Sequence, residues 1–433
     1  MDAQVLVAPK ARTSLLRAIL AGGVGNALEW FDYALYGFFG TVISANFFPQ
    51  EDPLAGLVLT FMVFGLGFVA RPVGGFIFGH LGDRVGRKRA LAMTVIMMGV
   101  STMCMGLLPT YAQLGVTAPV VLTLLRLCQG MAAGGEWGSC VSFLTEYAKP
   151  HNRGFIVSWS QVSSAIGLMI GALLGTLLSS SMSHDALYEW GWRIAFWFGI
   201  VVAIVGYTIR RTIAETPIFQ ETAAKDSLSK SPLRDCLRGY KKELVTVFFL
   251  VGGGNVAYWL ILNYMSTYMT QFLKLSMTTG FSLNSWILLV YMVALPICGW
   301  FTDQIGRKWM MIIGGGGVTF LSYPLFQLLA HASGFGEMAA IVAVLSIFFA
   351  AFITGLTVGV SEIFPTAVRC SGFAIAYQMA TAVFGGTVMF TVTWLYRATG
   401  NVMSMPIYMS SVMFLSFLAA VFLFPETKGK PLR

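Results

Sequence analysis

Gly79-His80-Leu81-Gly82-Asp83-Arg84-Val85-Gly86-Arg87-Lys88 joins two long apolar runs, and Gly299-Trp300-Phe301-Thr302-Asp303-Gln304-Ile305-Gly306-Arg307-Lys308 joins two others 220 residues later. The blocks share Gly, Asp, Gly, Arg and Lys at identical spacing. Two further echoes keep nearly the same offset. Glu146 with Arg153 is matched by Glu362 with Arg369, and Glu215-Thr216-Pro217 by Pro425-Glu426-Thr427. A chain that echoes itself at one offset is built from two similar units.

Composition says what the units are made of. Of 433 residues, 56% are hydrophobic and 11% charged, against about 25% charged in a soluble domain. Mean hydropathy is +0.73. That excludes an ordinary soluble enzyme and a disordered, collagen-like or disulfide-stapled chain. The net charge of +9 comes from short basic clusters between apolar runs, not from a stripe, so nucleic acid is not an expected partner. The six cysteines form no C-x-x-C pair and the four histidines lie far apart, so no metal site or cofactor is expected.

Twelve apolar runs fall near 18–42, 55–80, 90–109, 117–143, 155–179, 194–212, 244–269, 284–302, 309–331, 338–361, 371–396 and 403–424. Each is long enough for a span. The first is too long for a signal-peptide core and has no cleavage site after it, so it reads as an uncleaved helix. Placing the N-terminus in the cytoplasm puts Arg84, Arg87, Lys88, Arg153, Arg307, Arg369, Lys428 and the basic middle loop inside, and leaves Arg193, Lys274 and Arg397 outside. Both termini are thus expected in the cytoplasm. The polar stretch 213–243 divides six runs from six. The expected fold is an all-α integral membrane protein: twelve transmembrane helices in two pseudo-symmetric six-helix bundles, 1–212 and 244–433, joined by a cytoplasmic loop. Bundles repeated about an axis along the membrane normal are a transporter architecture, with the solute site between the halves at the midplane.

The Gly-x-x-x-Asp-x-x-Gly-Arg-Lys loops resemble the signature of the major facilitator superfamily. Gly25-Asn26-Ala27-Leu28-Glu29-Trp30-Phe31-Asp32-Tyr33, Ala70-Arg71-Pro72-Val73-Gly74-Gly75, Arg126-x-x-Gln129-Gly130-x-x-x-Gly134-Gly135-Glu136 and Trp190-Gly191-Trp192-Arg193-Ile194 resemble its metabolite:proton symporter branch. The resemblance implies a multi-pass symporter of a bacterial inner membrane, driven by the proton gradient. It also implies a small substrate: organic acids such as citrate, 2-oxoglutarate or shikimate, or zwitterions such as proline and betaine.

Ionised side chains inside a span cost at least about 2.5–3.5 kcal/mol and usually face a partner or a cavity. Five stand out: Glu29, Asp32, Arg71, Arg126 and Glu136. At 100° per residue, Asn26, Glu29, Asp32, Tyr33 and Tyr36 fall within about 120° of one helix face. Asp32, Glu29 and Glu136 are the proton-coupling candidates, and Asp32 is expected to pair with Arg71. Arg71, Arg126, Asn26, Tyr33, Gln129, Asn255 and Tyr258 are the substrate-binding candidates. Trp30, Tyr33, Tyr258 and Trp259 could box a quaternary ammonium. The loops are expected to gate: Asp83 and Arg87 with Glu146 and Arg153 latch one half, and Asp303 and Arg307 with Glu362 and Arg369 form the second copy.

No catalytic cluster and no nucleotide-binding loop occurs, which leaves a membrane-embedded enzyme or a transporter-like sensor as weaker alternatives. The chain ends soon after its last span, without the long C-terminal helix of some osmolyte carriers. That tilts the expected solute toward a di- or tricarboxylate, with a zwitterionic osmolyte as the alternative. The protein is expected to act as a monomer.

Overall fold

Within a bilayer the backbone must satisfy its own hydrogen bonds, which leaves helices as the only open choice for such runs. The computed structural model describes residues 15–49, 52–85, 87–134, 141, 144–145, 148–212, 238–364 and 376–430, and every regular element among them is helical. The long helices are α1 (Leu15–Phe38, continued by Gly40–Phe47), α2 (Pro53–Val85), α3 (Arg87–Leu107), α4 (Thr117–Ala132), α5 (Arg153–Ser181), α6 (Trp192–Thr212), α7 (Lys241–Phe272), α8 (Met277–Ile305), α9 (Arg307–His331), α10 (Phe335–Ile363), α11 (Ala376–Thr399) and α12 (Ser404–Leu423). One lies over each expected run. The fourth is described as helix to Ala132, and residues 135–140 of its expected run lie outside the described residues.

Eight helices among the described residues are long and apolar enough to cross a membrane by length and composition. α1, α3, α4 and α6 complete the twelve. Large apolar side chains such as Val69, Val73, Ile96, Leu124, Ile204, Phe320 and Phe422 point outward, while Glu29, Asp32, Arg71 and Arg126 are buried. That is the polarity expected of a protein dissolved in lipid.

In the first half, α1 packs on α5 and α6, α2 on α4, and α3 on α6. In the second, α9 packs on α10 and α12, and α7 on α12. The small-residue stripe of α5 serves this packing. Gly167 lies against the Ala27 carbonyl of α1, Gly171 against Ala34, and Gly175 against Phe281 of α8. The halves meet where α5 packs on α8 and α2 on α11. At the loop-motif end of that seam the backbones of Gly154 and Gly299 touch, with no room for a side chain at either. At the opposite end the Thr278 hydroxyl donates to the Ser179 carbonyl at 3.2 Å.

Candidate functional site

α1 turns Glu29 and Asp32 toward α2, α3 and α4. Arg71 Nη2 donates to Glu29 Oε1 at 2.6 Å and to the Ala133 carbonyl at 3.2 Å. The two side chains are 5% and 1% exposed, so the pair is dry. This corrects the expected Asp32–Arg71 pair. Arg71 sits low enough on α2 to reach the carbonyl at the end of α4. At that depth Glu29, almost one turn nearer the loop-motif end than Asp32, is the carboxylate in reach.

Asp32 instead accepts a hydrogen bond from the Thr102 hydroxyl of α3. Gln129 Nε2 of α4 donates to that hydroxyl at 2.8 Å, and Arg126 Nη1 donates to Gln129 Oε1 at 2.8 Å. One hydrogen-bond chain thus runs from a guanidinium to a carboxylate. Arg126 is otherwise held by rings, 4.7 Å from the centroid of Tyr33, 4.9 Å from Tyr36 and 4.6 Å from Phe64. Such faces attract a cation by about 0.5–2 kcal/mol each. Thr102 was not legible beforehand, because a hydroxyl inside an apolar run carries no charge signal.

Between the halves lies a cavity of about 20 Å³, lined by Trp30, Gln161, Val251, Gly254, Asn255, Tyr258, Ile353, Leu356, Thr357, Val360 and Tyr377. That volume suits roughly one water molecule, so the cavity must widen to take a solute. None of its lining residues carries a formal charge. Trp30 packs 4.8 Å from Tyr258 and 5.5 Å from Trp259, ring centre to ring centre. Gln161 Nε2 donates to Thr357 Oγ1 at 3.0 Å, tying α5 to α10 across the seam. Asn255 Nδ2 bonds the Val251 carbonyl at 3.0 Å and Thr381 Oγ1 at 3.2 Å.

Asn255 and Tyr258 therefore line the cavity as the sequence reading expected. Asn26, Tyr33, Arg71, Arg126 and Gln129 do not; they stand behind its wall. Asn26 Nδ2 lies 2.7–3.0 Å from oxygens of Ser160, Ser163 and Ser164, and Asn26 Oδ1 accepts from Trp30 Nε1 at 3.1 Å. It fastens α1 to α5 and aims Trp30 at the cavity. Gln161, Thr357 and Tyr377 supply the other polar groups of the wall.

At the loop-motif end the Asp303 carboxylate accepts from the backbone N–H groups of Gly154 and Phe155, at 2.8 and 3.0 Å. An anion is well placed at such a helix N-terminus. Arg153 donates to Glu362 at 2.6 Å, and Arg307 reaches Glu362 at 3.1 Å and Asp303 at 3.2 Å. Arg153 belongs to one half, and Glu362, Arg307 and Asp303 belong to the other. One network thus crosses the seam. Glu426, whose part was not foreseen, accepts from the backbone N–H groups of Arg307 and Lys308 at 3.0 and 3.1 Å, and Thr427 Oγ1 donates to Glu362 at 2.6 Å. Glu136, Glu146, Arg369 and the side chains of Asp83 and Arg87 lie outside the described residues.

At the opposite end Asp52 caps α2, accepting from the backbone N–H groups of Leu54 and Ala55, and receives Arg397 Nη2 of α11 at 2.6 Å. Both ends of the seam are therefore closed. The inner surfaces of Arg153 and Glu362 are dry, each 4% exposed, whereas Arg397 and Asp52 are 46% and 44% exposed.

Two echoing six-helix halves, latched at both ends over a small central cavity, have the major facilitator fold. The chain belongs to the sugar (and other) transporter family, whose profile matches residues 18–243 and 225–433. It is similar to the glycine betaine/proline/ectoine/pipecolic acid transporter OusA of Dickeya dadantii (strain 3937), with 32% identity over 97% of this chain and 85% of that one. Its likeness to the proline/betaine transporter of Escherichia coli (strain K12) has the same identity and coverage. Among solved structures it is similar in fold to the proton:xylose symporter XylE bound to 6-bromo-6-deoxy-D-glucose, with a TM-score of 0.77 and 19% identity over 96% of this chain and 97% of that one. The partially occluded inward-open form of the same transporter, from E. coli, matches with a TM-score of 0.76 and 19% identity over 96% of this chain and 99% of that one.

Two outcomes follow from this geometry. Glu29→Ala strands the buried Arg71 cation, a change of about 3–5 kcal/mol. Thermal unfolding in detergent should therefore fall further for Glu29→Ala than for Asp32→Ala, whose partner is a neutral hydroxyl; the reverse order would contradict the pairing. The Asp52 carboxylate is held below the usual range, first by the Ala55 N–H and then by Arg397. A depressed value means the contact persists above the ordinary carboxylate pKa and is lost as pH falls through the lowered one. Spin labels on the adjoining ends of α2 and α11 should shift toward longer distances below about pH 4, and Arg397→Gln should show that shift at every pH.

Proposed function

We propose that this transporter is a proton-coupled symporter of a small net-neutral zwitterion of the proline or betaine kind. Its loop-motif end and both termini face the cytoplasm, in the inner membrane of a bacterium. The uncharged cavity wall carries the reading. A di- or tricarboxylate would need cations in that wall, and Arg71 and Arg126 stand behind it. The tilt toward organic acids is therefore abandoned, and the two relatives, both named for zwitterion transport, support the change. In a zwitterion the ammonium can rest on the faces of Trp30, Tyr258 and Tyr377, where cation–π attraction requires no counter-ion. The carboxylate can take hydrogen bonds from Asn255, Gln161 and the tyrosine hydroxyls.

The proton belongs to the cluster behind the wall. Glu29 is committed to Arg71, whereas Asp32 is held by the neutral Thr102 hydroxyl, so Asp32 is the carboxylate we assign to the proton. Protonation reverses the donor at the Asp32 end of the chain that leads to Arg126. α1 carries Trp30 on the cavity wall and Asp32 behind it, so solute and proton act on one helix. The charged networks at the two ends of the seam break in turn, one for each direction of access.

Uptake of labelled glycine betaine into cells or proteoliposomes tests the solute. Unlabelled proline and betaine should compete, and citrate, 2-oxoglutarate and shikimate should not; competition from the acids alone would overturn the assignment. Asp32→Asn should lose uphill accumulation yet keep solute exchange, and undiminished accumulation by that variant would remove Asp32 from the coupling role.

A further inference from the structure

α7 is not a regular helix. Two wide π turns interrupt it, at Leu260–Tyr264 and Tyr268–Phe272. In an α-helix, residues four apart advance by about 40° around the axis, so a row at that spacing drifts off line. A wider turn takes back that advance. Asn255, Trp259, Asn263 and Thr267 are spaced by four across the first π turn and so keep one line. Asn255 lines the cavity, and the row runs from it toward the end closed by Asp52 and Arg397.

Beyond Asn255, whose amide is hydrogen-bonded, the polar groups of the row lack partners. Trp259 Nε1, both polar atoms of the Asn263 amide and Thr267 Oγ1 have no protein partner, and neither does the neighbouring Tyr268 hydroxyl. These side chains are 0–1% exposed. The Asn263 amide lies against the backbone of Gly37 in α1, where any side chain on residue 37 would strike it. The π turn itself is held in place: Asn284 of α8 donates to the Leu262 carbonyl at 3.0 Å. An unpaired buried amide is costly.

We propose that Asn263 is a second solute contact, on the approach path from outside to the cavity. When α1 and α7 part, its amide N–H groups take the carboxylate of the incoming zwitterion. Thr267 and Tyr268 lie one step outward and Trp259 one step inward. The rings of Tyr264 and Phe61, 5.2 Å apart, offer the ammonium an uncharged apolar face. The row contains no formal charge, so it suits a net-neutral solute, as the cavity does. The solute class and the outward direction rest on the function proposed above; the exposure of Asn263 on opening does not depend on the solute.

Two arms of one experiment separate these. In right-side-out vesicles, Asn263→Cys should react with a membrane-impermeant maleimide added outside, above the blank given by the wild-type chain with its own cysteines. Arg397→Gln in the same chain should speed the reaction. Absence of labelling in both, with normal membrane insertion, overturns the inference whatever the solute. In proteoliposomes, Asn263→Leu should raise the KM for glycine betaine about tenfold, as for one lost hydrogen bond to a charged acceptor, with turnover retained. Asn263→Ser, which keeps a donor, should recover most of it, and glycine betaine should slow labelling of Asn263→Cys. Unchanged KM in a wild-type background that transports betaine overturns the inference. Labelling together with a wild-type chain that transports neither betaine nor proline upholds the approach path and overturns the solute class.

Discussion

Arg71 and Glu29 stand 2.6 Å apart and almost wholly out of water, and much of the first half is arranged around keeping them so. A lone guanidinium at that depth is expensive, and a lone carboxylate equally so. α1, α2 and α4 must therefore stay in register, with the Ala133 carbonyl taking a further hydrogen bond from the same guanidinium. Arg126 meets the same constraint differently, through Gln129 and three aromatic rings. With both carboxylates ionised the cluster is neutral. In the role proposed for it, Asp32 takes a proton without first breaking an ion pair, because its partner is the Thr102 hydroxyl.

The same physics makes the two ends of the seam unequal. At the loop-motif end the charges are dry, shared across the halves and anchored on helix termini, at Gly154 and Phe155 for Asp303 and at Arg307 and Lys308 for Glu426. At the opposite end one half-exposed pair, Asp52 and Arg397, is reinforced by rings such as Phe272 stacked on Tyr396 at 3.8 Å. Exposed pairs contribute little and are screened by salt. Opening at the Asp52–Arg397 end therefore asks less of this fold than opening at the loop-motif end.

Much of the architecture was legible in the sequence because it rests on coarse quantities. Apolar runs set the spans, and the paired Gly-Asp-Gly-Arg-Lys loops set the two halves. Buried charges named Glu29, Asp32, Arg71 and Arg126, and helical spacing put Asn26, Glu29, Asp32, Tyr33 and Tyr36 on one face. What was not legible depends on three-dimensional register. Which carboxylate meets Arg71 is decided by the relative depth of α1 and α2, which a single sequence does not state. Thr102 is a neutral residue given meaning by Asp32 and Gln129. The latch crosses the seam because α5 begins beside the end of α8, so Arg153 finds Glu362 in the other half. The tilt toward an organic acid had a different source. It leaned on where the chain ends, which says nothing about the cavity, while the uncharged wall is assembled from five helices and visible only once they are together.

The claim that a proton travels with a net-neutral solute can be put to one direct measurement. Glycine betaine is added to lightly buffered, de-energised proteoliposomes, and external pH is followed together with solute content. The account requires the medium to become more alkaline as betaine enters, and the change to disappear with a protonophore-free, protein-free control. Betaine entering at the same rate with no movement of protons would contradict it.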